Sequence, residues 1–196
     1  MCIRDRLMSA LMRRFANGES FFQQHIEAVR GDGDCLLSPV LPGALQVLEV
    51  GATCYLISDG AFMAAESGVD LRARAQNIGN ALFAQTGGFF IGEATGNGKL
   101  VVSGFGSSFI LEVTPGRDVV IDNAHVVAWD SRLHYQISVP NQGSQSSGLI
   151  GRLIHSATSG EGVVLRFSGQ GKVVISSRNR NAFMRWIGAG VGGSHA

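Results

Sequence analysis

Histidine can bind metal ions or transfer protons near neutral pH, so its spacing is the first place to look for chemistry. The chain has five histidines: His25, His125, His134, His155 and His195. A metal-dependent β enzyme would place closely spaced histidines and a carboxylate on one strand, but no His-x-His pair occurs. The apolar residues around His125 favour a partly buried, hydrogen-bonded side chain on a strand. The sequence therefore predicts no metal site and no cofactor.

Serine, histidine and aspartate are all present, but not in an arrangement that makes a nucleophile. No Gly-x-Ser-x-Gly sequence occurs, so the usual turn that exposes a catalytic serine is absent from the sequence. Asp59 and Asp122 recur at equivalent turns, where a carboxylate caps backbone amides; a general acid/base pair is the alternative interpretation. The three cysteines form neither a paired framework nor a CxxC motif, which favours a reducing compartment. We predict no catalytic residue.

Basic and aromatic residues alternate in one place, near the end of the chain. Arg178, Arg180 and Arg185 surround Phe183 and Trp186, an arrangement that could hold a phosphate or stack a base. A solvated arginine face, anchored to the core by an aromatic side chain, is the alternative interpretation. The formal net charge of +1 supplies no overall attraction to nucleic acid or to an anionic membrane. Arg178, Arg180, Arg185 and Trp186 are thus the candidate binding residues, and nucleic acid is not the expected partner.

The elements that would position these residues are short strands. With 45% hydrophobic and 16% charged residues, 27 glycines and only 4 prolines, the chain has the composition of a globular protein whose strands are joined by glycine turns. An octet of Gly-x-Gly-x, three apolar residues and Ser begins at Gly31, Gly96 and Gly169. Each copy follows an apolar run, so the pattern predicts three β-hairpins; a phosphate-binding loop is the alternative, but no Gly-Lys-Ser/Thr follows.

Two further motifs recur. Short segments with helical spacing, LMSALMRRF, IGNALF and LIGRLI, precede the three predicted hairpins. The segment VLEVGATCYLISDGAFMAA matches ILEVTPGRDVVIDNAHVVA, and each predicts three strands separated by two turns. The sequence therefore predicts an all-β fold of pseudo-threefold units with short helices between them: unit 1 at 7–77, unit 2 at 78–148, a partial unit 3 at 149–187 and a flexible tail at 188–196.

The order of several motifs resembles one family. FANGESFF, VLPGALQVLEV, LISDGAFMAA, LEVTPGRDVVIDNAHVVAWD, GEGVVLRFSGQGKVVISSRN and AFMRW are similar to segments of the altered inheritance of mitochondria protein 24 family, which has bacterial members. The resemblance covers nearly the whole chain after Leu7. It implies a fold like the tryptophan RNA-binding attenuation protein, a short double-stranded β-helix repeated within one chain. That protein's binding motifs are not found here, so its ligands are not carried over.

The first six residues, MCIRDR, do not fit this pattern. Family members begin with a further strand group, whereas MCIRDR matches the translation of a transposon end used to prepare sequencing libraries. We therefore expect residues 1–6 to be a foreign scar joined to a gene fragment. The following apolar segment is interrupted by Arg13 and Arg14, which argues against a signal peptide, and no apolar run is long enough to span a bilayer.

Three functional classes remain from the sequence. The preferred hypothesis is a non-enzymatic, self-associating β protein of the bacterial cytoplasm, a homo-oligomer such as a trimer. By resemblance to the mitochondrial relative, it would act as a scaffold or a membrane-adjacent organiser with peripheral membrane contact. The alternative is a module that binds a small ligand or single-stranded nucleic acid. A third hypothesis, an enzyme on a cupin-like scaffold, would need a bound metal.

Overall fold

The computed structural model describes residues 24–74, 91–138 and 164–191. In these residues the chain forms twelve strands, one 3₁₀ turn and one α-helix. The strands are β1 (Leu45–Val50), β2 (Tyr55–Ser58), β3 (Phe62–Ala65), β4 (Val69–Arg74), β5 (Ile91–Gly96), β6 (Gly98–Ser103), β7 (Ser108–Val113), β8 (Val119–Asp122), β9 (Val126–Asp130), β10 (His134–Ser138), β11 (Val164–Ser168) and β12 (Gly171–Ser176). Helix α1 spans Arg180–Val191, and the predicted all-β fold is confirmed.

The two matching strand groups form the strands that the sequence predicts. VLEVGATCYLISDGAFMAA contains β2, β3 and most of β1, and ILEVTPGRDVVIDNAHVVA contains β8 and most of β7 and β9. The turn after β8 uses the predicted carboxylate chemistry, because Oδ1 of Asp122 accepts a hydrogen bond from the amide of Ala124 at 2.9 Å. In β1 the side chains of Leu48 and Val50 are buried while Glu49 between them is exposed, as alternation on a half-buried strand requires.

All strand pairs are antiparallel, and they form three sheets in the described part of the chain. One sheet has the order β1-β6-β3, a second β10-β11-β8, and a six-stranded sheet β4-β5-β2-β9-β12-β7. The six-stranded sheet consists of β4-β5-β2 and β9-β12-β7, which are joined where β2 pairs with β9. The same connectivity therefore occurs twice: β7 to β12 pair among themselves in the order in which β1 to β6 do.

The predicted hairpin at Gly96-Asn97-Gly98 is wrong. β5 pairs with β4 and β2, whereas β6 pairs with β1 and β3, so the chain passes from one sheet to another at Asn97. The backbone explains this corner: Gly96 has a φ of +92°, and the amide of Asn97 donates to the carbonyl of Gly68 at 2.9 Å. The turn is as tight as predicted, but its hydrogen bonds lead to the β3–β4 connection rather than back along β5.

Neither of the other two predicted hairpins forms in the described residues, and each differs from the prediction in its own way. β11 pairs with β10 and β8, and β12 pairs with β9 and β7, so Gly169-Gln170-Gly171 is also a corner between sheets. Residues 31–38 contain no strand, although Gly31 has the positive φ of a turn. The apolar side chains of Leu36 and Val40 are exposed there, because no strand of the described residues pairs with this segment.

Two apolar clusters make up the core, and the β2–β9 pair connects them. The first contains residues of β1 to β6 together with Val127, Ala128 and Val174. The second contains residues of β7 to β12 together with Leu56 of β2. Each half of the structure thus buries side chains of the other, and the two clusters meet at the β2–β9 pair.

Helix α1 was not predicted. Its sequence signal is Asn179, whose Oδ1 accepts from the amide of Ala182 at 3.0 Å as an N-cap, followed by apolar residues at helical spacing. The helix continues to Val191, into the segment that the sequence predicts to be a tail. The three short helices expected near residues 7–15, 78–83 and 149–154 lie outside the described residues, as do residues 1–6. The predicted unit boundaries stay predictions.

Candidate functional site

The candidate binding residues lie at the end of β12 and on α1. Arg178 follows β12, and its guanidinium carbon lies 5.7 Å from the centre of the Phe105 ring. Its amide also donates to the carbonyl of Phe105 at 3.1 Å. Arg180 is the first residue of α1, and Arg185 lies in the middle of the helix; all three arginine side chains are exposed. The positive charges are therefore accessible beside one helix.

Aromatic rings connect this helix to the core. Phe105 is buried, and its ring centre lies 5.1 Å from that of Phe183. Trp186 in turn stacks on Phe183, with ring centres 6.0 Å apart and ring planes inclined by 25°. The Phe105, Phe183 and Trp186 rings thus form a row from the interior to the surface, which we call the aromatic row. An aromatic side chain does anchor the arginine-bearing face, as one interpretation of the sequence expects.

Several exposed side chains of α1 are apolar. Trp186 is 72% exposed and Met184 is 58% exposed, while Phe183 and Ile187 are partly exposed. Ile187 lies four residues after Phe183 and three residues after Met184, so its side chain neighbours both of them on the helix surface. Sequence reasoning found Trp186 and the arginines but missed Phe105, Met184 and Ile187. Phe105 carries no local signal, because it is distant in sequence from α1.

The three histidines of the described residues, His25, His125 and His134, belong to no common metal-binding group. The imidazole Nε2 of His25 lies 3.7 Å from Oε2 of Glu27, and His134 is exposed on β10. His125 is in the 3₁₀ turn Asn123–His125 rather than on a strand, and its Nδ1 hydrogen-bonds to the carbonyl of Ser176 at 2.7 Å. His155 and His195 lie outside the described residues. Within residues 24–74, 91–138 and 164–191, no three His, Cys, Asp or Glu side chains lie close enough to hold a metal ion.

A buried charged group that the sequence did not predict lies where the two halves meet. The carboxylate of Asp130 is almost fully buried and accepts from Arg132, with Nη2 to Oδ2 at 2.6 Å and Nε to Oδ1 at 3.0 Å. Burial raises the pKa of Asp130, but the hydrogen bonds and charge of Arg132 outweigh it, so the pKa lies below its ordinary value. Arg132 also donates to Oγ1 of Thr53 at 3.4 Å, in the other half. These contacts are structural.

Across the described residues, no helix has the length and apolar character needed to cross a bilayer. The candidate site is a surface helix that exposes apolar and aromatic side chains and two arginines, with a third arginine, Arg178, just before it.

Comparison with known proteins identifies relatives with a similar fold and sequence. A solved crystal structure of a protein from Streptococcus pyogenes superposes with a TM-score of 0.63 at 34% sequence identity, covering 78% of this chain and 62% of that one. The chain thus spans less than two thirds of that solved chain. An uncharacterised protein from Streptococcus pyogenes serotype M6 is 38% identical over 179 residues, which are 91% of this chain and 67% of that protein.

The region of the chain that matches a family model includes all the strands described above. The model of the family described as mitochondrial biogenesis AIM24 matches residues 3–178, so the match includes β1 to β12 and ends before α1. It begins inside the six residues that the sequence predicts to be foreign. On the extent of this match, and on the relative that is 38% identical, the chain belongs to the mitochondrial biogenesis AIM24 family.

Proposed function

We propose that this protein is a non-enzymatic, self-associating β scaffold that acts at the cytoplasmic face of a bacterial membrane, with helix α1 in contact with the lipid surface. The observation that carries the membrane contact is the exposure of Trp186, at 72%, on a helix that also exposes Met184. A tryptophan on a surface helix gains free energy at a membrane interface, where its ring leaves water and its N–H stays hydrated.

Charge supports the same orientation. Arg178, Arg180 and Arg185 are exposed beside the apolar residues of α1, and each basic residue near an anionic surface contributes about 1 kcal/mol of attraction. The chain as a whole has a formal net charge of only +1, so this attraction is local to the helix. The aromatic row connects α1 to Phe105, a buried residue of the β6–β7 connection, so the helix lies beside the core while its other side chains stay exposed. The family's printed description, mitochondrial biogenesis, also suits a role near a membrane.

Vesicle binding tests this function. The chain contains two tryptophans, and Trp129 is fully buried, so a change in emission on adding vesicles reports Trp186. We expect a blue shift with vesicles that contain phosphatidylglycerol, a smaller one with phosphatidylcholine alone, and weaker co-sedimentation of Trp186→Ala and Arg185→Gln. Arg117→Gln is the matched control, because Arg117 is exposed but lies in the β7–β8 turn. Equal binding of all variants, or none by the wild type, would refute the membrane role.

A second function is favoured by one contact. The near-parallel stacking of Trp186 on Phe183, on a helix that also exposes Arg180 and Arg185, is also a surface on which a nucleotide base could stack. Single-stranded RNA titrated at low and at high salt tests it, because phosphate contacts weaken as salt rises. Absence of binding at low salt would remove this alternative and leave the membrane proposal.

A further inference from the structure

We propose that helix α1 is only partly stable in water and completes its fold on an anionic lipid surface, so that membrane binding and the folding of residues 185–191 are coupled. This inference rests on the proposed membrane contact and adds what the lipid does to the helix. It starts from the contacts that hold α1 in place.

These contacts lie at the beginning of the helix. Oδ1 of Asn179 accepts from the amide of Ala182 at 3.0 Å, and the amide of Phe183 donates to the carbonyl of Asn179 at 3.1 Å. The centre of the Phe183 ring lies 5.1 Å from that of the buried Phe105. Further along, every residue of the helix up to Ala189 is exposed. The second half of α1 therefore gains little free energy from packing against the core.

The sequence of α1 makes a weak helix. With 12 residues, it is close to the length below which a helix without tertiary packing is unstable in water. Gly188 and Gly190 lie within it, and glycine is the poorest helix former after proline. Arg180 lies at the positive end of the helix dipole, the first turn has no acidic residue and the last turn has no basic one. We therefore expect the second half of α1 to open and re-form in solution.

An anionic lipid surface supplies the stabilisation that the core does not. Met184 and Trp186 are 58% and 72% exposed, and both side chains leave water when the helix lies in a membrane interface. From Arg178 to Val191 the chain has three arginines and no acidic residue, so its charge is complementary to anionic headgroups. The free energy of these contacts offsets the cost of ordering residues 185–191, as in other segments that fold on binding.

Hydrogen exchange of the full chain tests the coupling. We expect the amides of residues 185–191 to exchange about tenfold or more slowly with phosphatidylglycerol vesicles than without them, because a helix that opens in solution exchanges from its open state. The amides of β12 are the internal control, since Val173 and Val174 are buried in the core and should show no change.

The same experiment separates this inference from the membrane role. If vesicles bind but leave the protection of residues 185–191 unchanged, the coupling is refuted and the membrane role stands. High protection without vesicles would mean that the helix is already formed, or is covered by another part of the chain or by a second copy, and would also refute the coupling. If vesicles do not bind at all, both proposals are wrong.

Substitutions at Gly188 test the coupling without removing a lipid contact. A Cβ at Gly188 meets nothing within 4 Å, so Gly188→Ala raises helix propensity at no steric cost. We expect this variant to bind phosphatidylglycerol vesicles about fivefold more tightly than the wild type. Gly188→Gln should also strengthen binding, because glutamine is a polar residue that favours helices. Ala189→Gly should weaken binding by a factor similar to the gain in Gly188→Ala.

Gly33→Ala is the matched control. A Cβ at Gly33 also meets nothing within 4 Å, but Gly33 lies outside any helix, so the affinity for vesicles should equal that of the wild type. Wild-type affinity in both Gly188 variants would show that helix formation does not limit binding, and would overturn the proposal. An increase in Gly188→Ala without one in Gly188→Gln would assign the effect to added apolar surface, which would overturn it as well.

Discussion

Arg132 holds the buried carboxylate of Asp130 through its side chain and its backbone. Besides the guanidinium contacts to both carboxylate oxygens, the amide of Arg132 donates to Oδ1 at 2.9 Å. Asp130 lies opposite Tyr55 in the β2–β9 pair, so this ion pair is part of the joint between the two halves. Its strength should therefore appear in the stability of the whole fold.

We expect Asp130→Asn to lower the free energy of unfolding at pH 7 by about 1–3 kcal/mol, because a buried, charge-assisted hydrogen-bond network loses its charge. The pKa of Asp130 is lowered in the folded state, so its contribution is present above the unfolded value of about 3.9 and is lost as the pH falls through the folded pKa. Urea denaturation between pH 7 and pH 3 measures this: the variant's acid dependence should be flatter than that of the wild type.

The exposed ion pair between Asp118 and Arg166 provides the control. Asp118→Asn should cost at most about 1 kcal/mol, because both side chains are partly solvated. If it destabilised the fold as much as Asp130→Asn, burial would not be what makes the Asp130 pair important.

Tyr55 should limit stability in alkali. Burial, and then the nearby negative charge of Asp130, raise its pKa in the folded protein above 10, against a smaller opposing effect of Arg132. The unfolded chain ionises first, so stability is full below about pH 10 and falls as the pH rises from there through the folded pKa. Tyr55→Phe should reduce this loss of stability between pH 9 and 11. Urea denaturation monitored by circular dichroism, under the same conditions for both proteins, measures it. An unchanged alkaline slope would contradict it.

Gly43 should not tolerate a side chain. It bridges to Gly106, and a Cβ at Gly43 would overlap the carbonyl oxygen of Gly104, a backbone atom that cannot rotate away. We expect Gly43→Ala to destabilise the fold by about 1–3 kcal/mol, as overpacking does. Thermal unfolding measures the change. Gly33→Ala is the control, because a Cβ there meets nothing within 4 Å, and a comparable loss in both variants would exclude the steric explanation.

The sequence predicted strands better than it predicted their partners. Turn residues such as Gly60 and Gly116, and the alternation in β1, are local signals, so the strand groups that contain β1 to β3 and β7 to β9 were correctly located. Whether the strand after Gly98 folds back on β5 or joins another sheet depends on contacts with Gly68, which no local pattern encodes. Hairpins were therefore predicted where the chain turns a corner.

In the candidate site, too, local signals were predicted and contacts made by the fold were not. Arg178, Arg185 and Trp186 stood out by residue type alone, but the anchor of the helix did not, because Phe105 reaches Phe183 only through the fold. The helix itself could have been predicted from Asn179 and the spacing of Phe183, Met184 and Ile187. Residue types alone therefore predicted a binding role for these side chains, whereas the helix that carries Arg185 and Trp186 was not predicted.

The two tryptophans should report opposite environments. Trp129 is fully buried, with its ring centre 5.5 Å from that of Tyr135 and 5.8 Å from that of Phe167, whereas Trp186 is largely exposed on α1. In Trp186→Phe only Trp129 emits, so we expect blue-shifted emission and weak quenching by acrylamide. In Trp129→Phe only Trp186 emits, and quenching should be several-fold stronger, because acrylamide reaches a solvated ring by collision. Strong quenching in Trp186→Phe would mean that β9 does not lie in the core. Weak quenching in Trp129→Phe would mean that the outer end of the aromatic row is covered, for instance by a second copy.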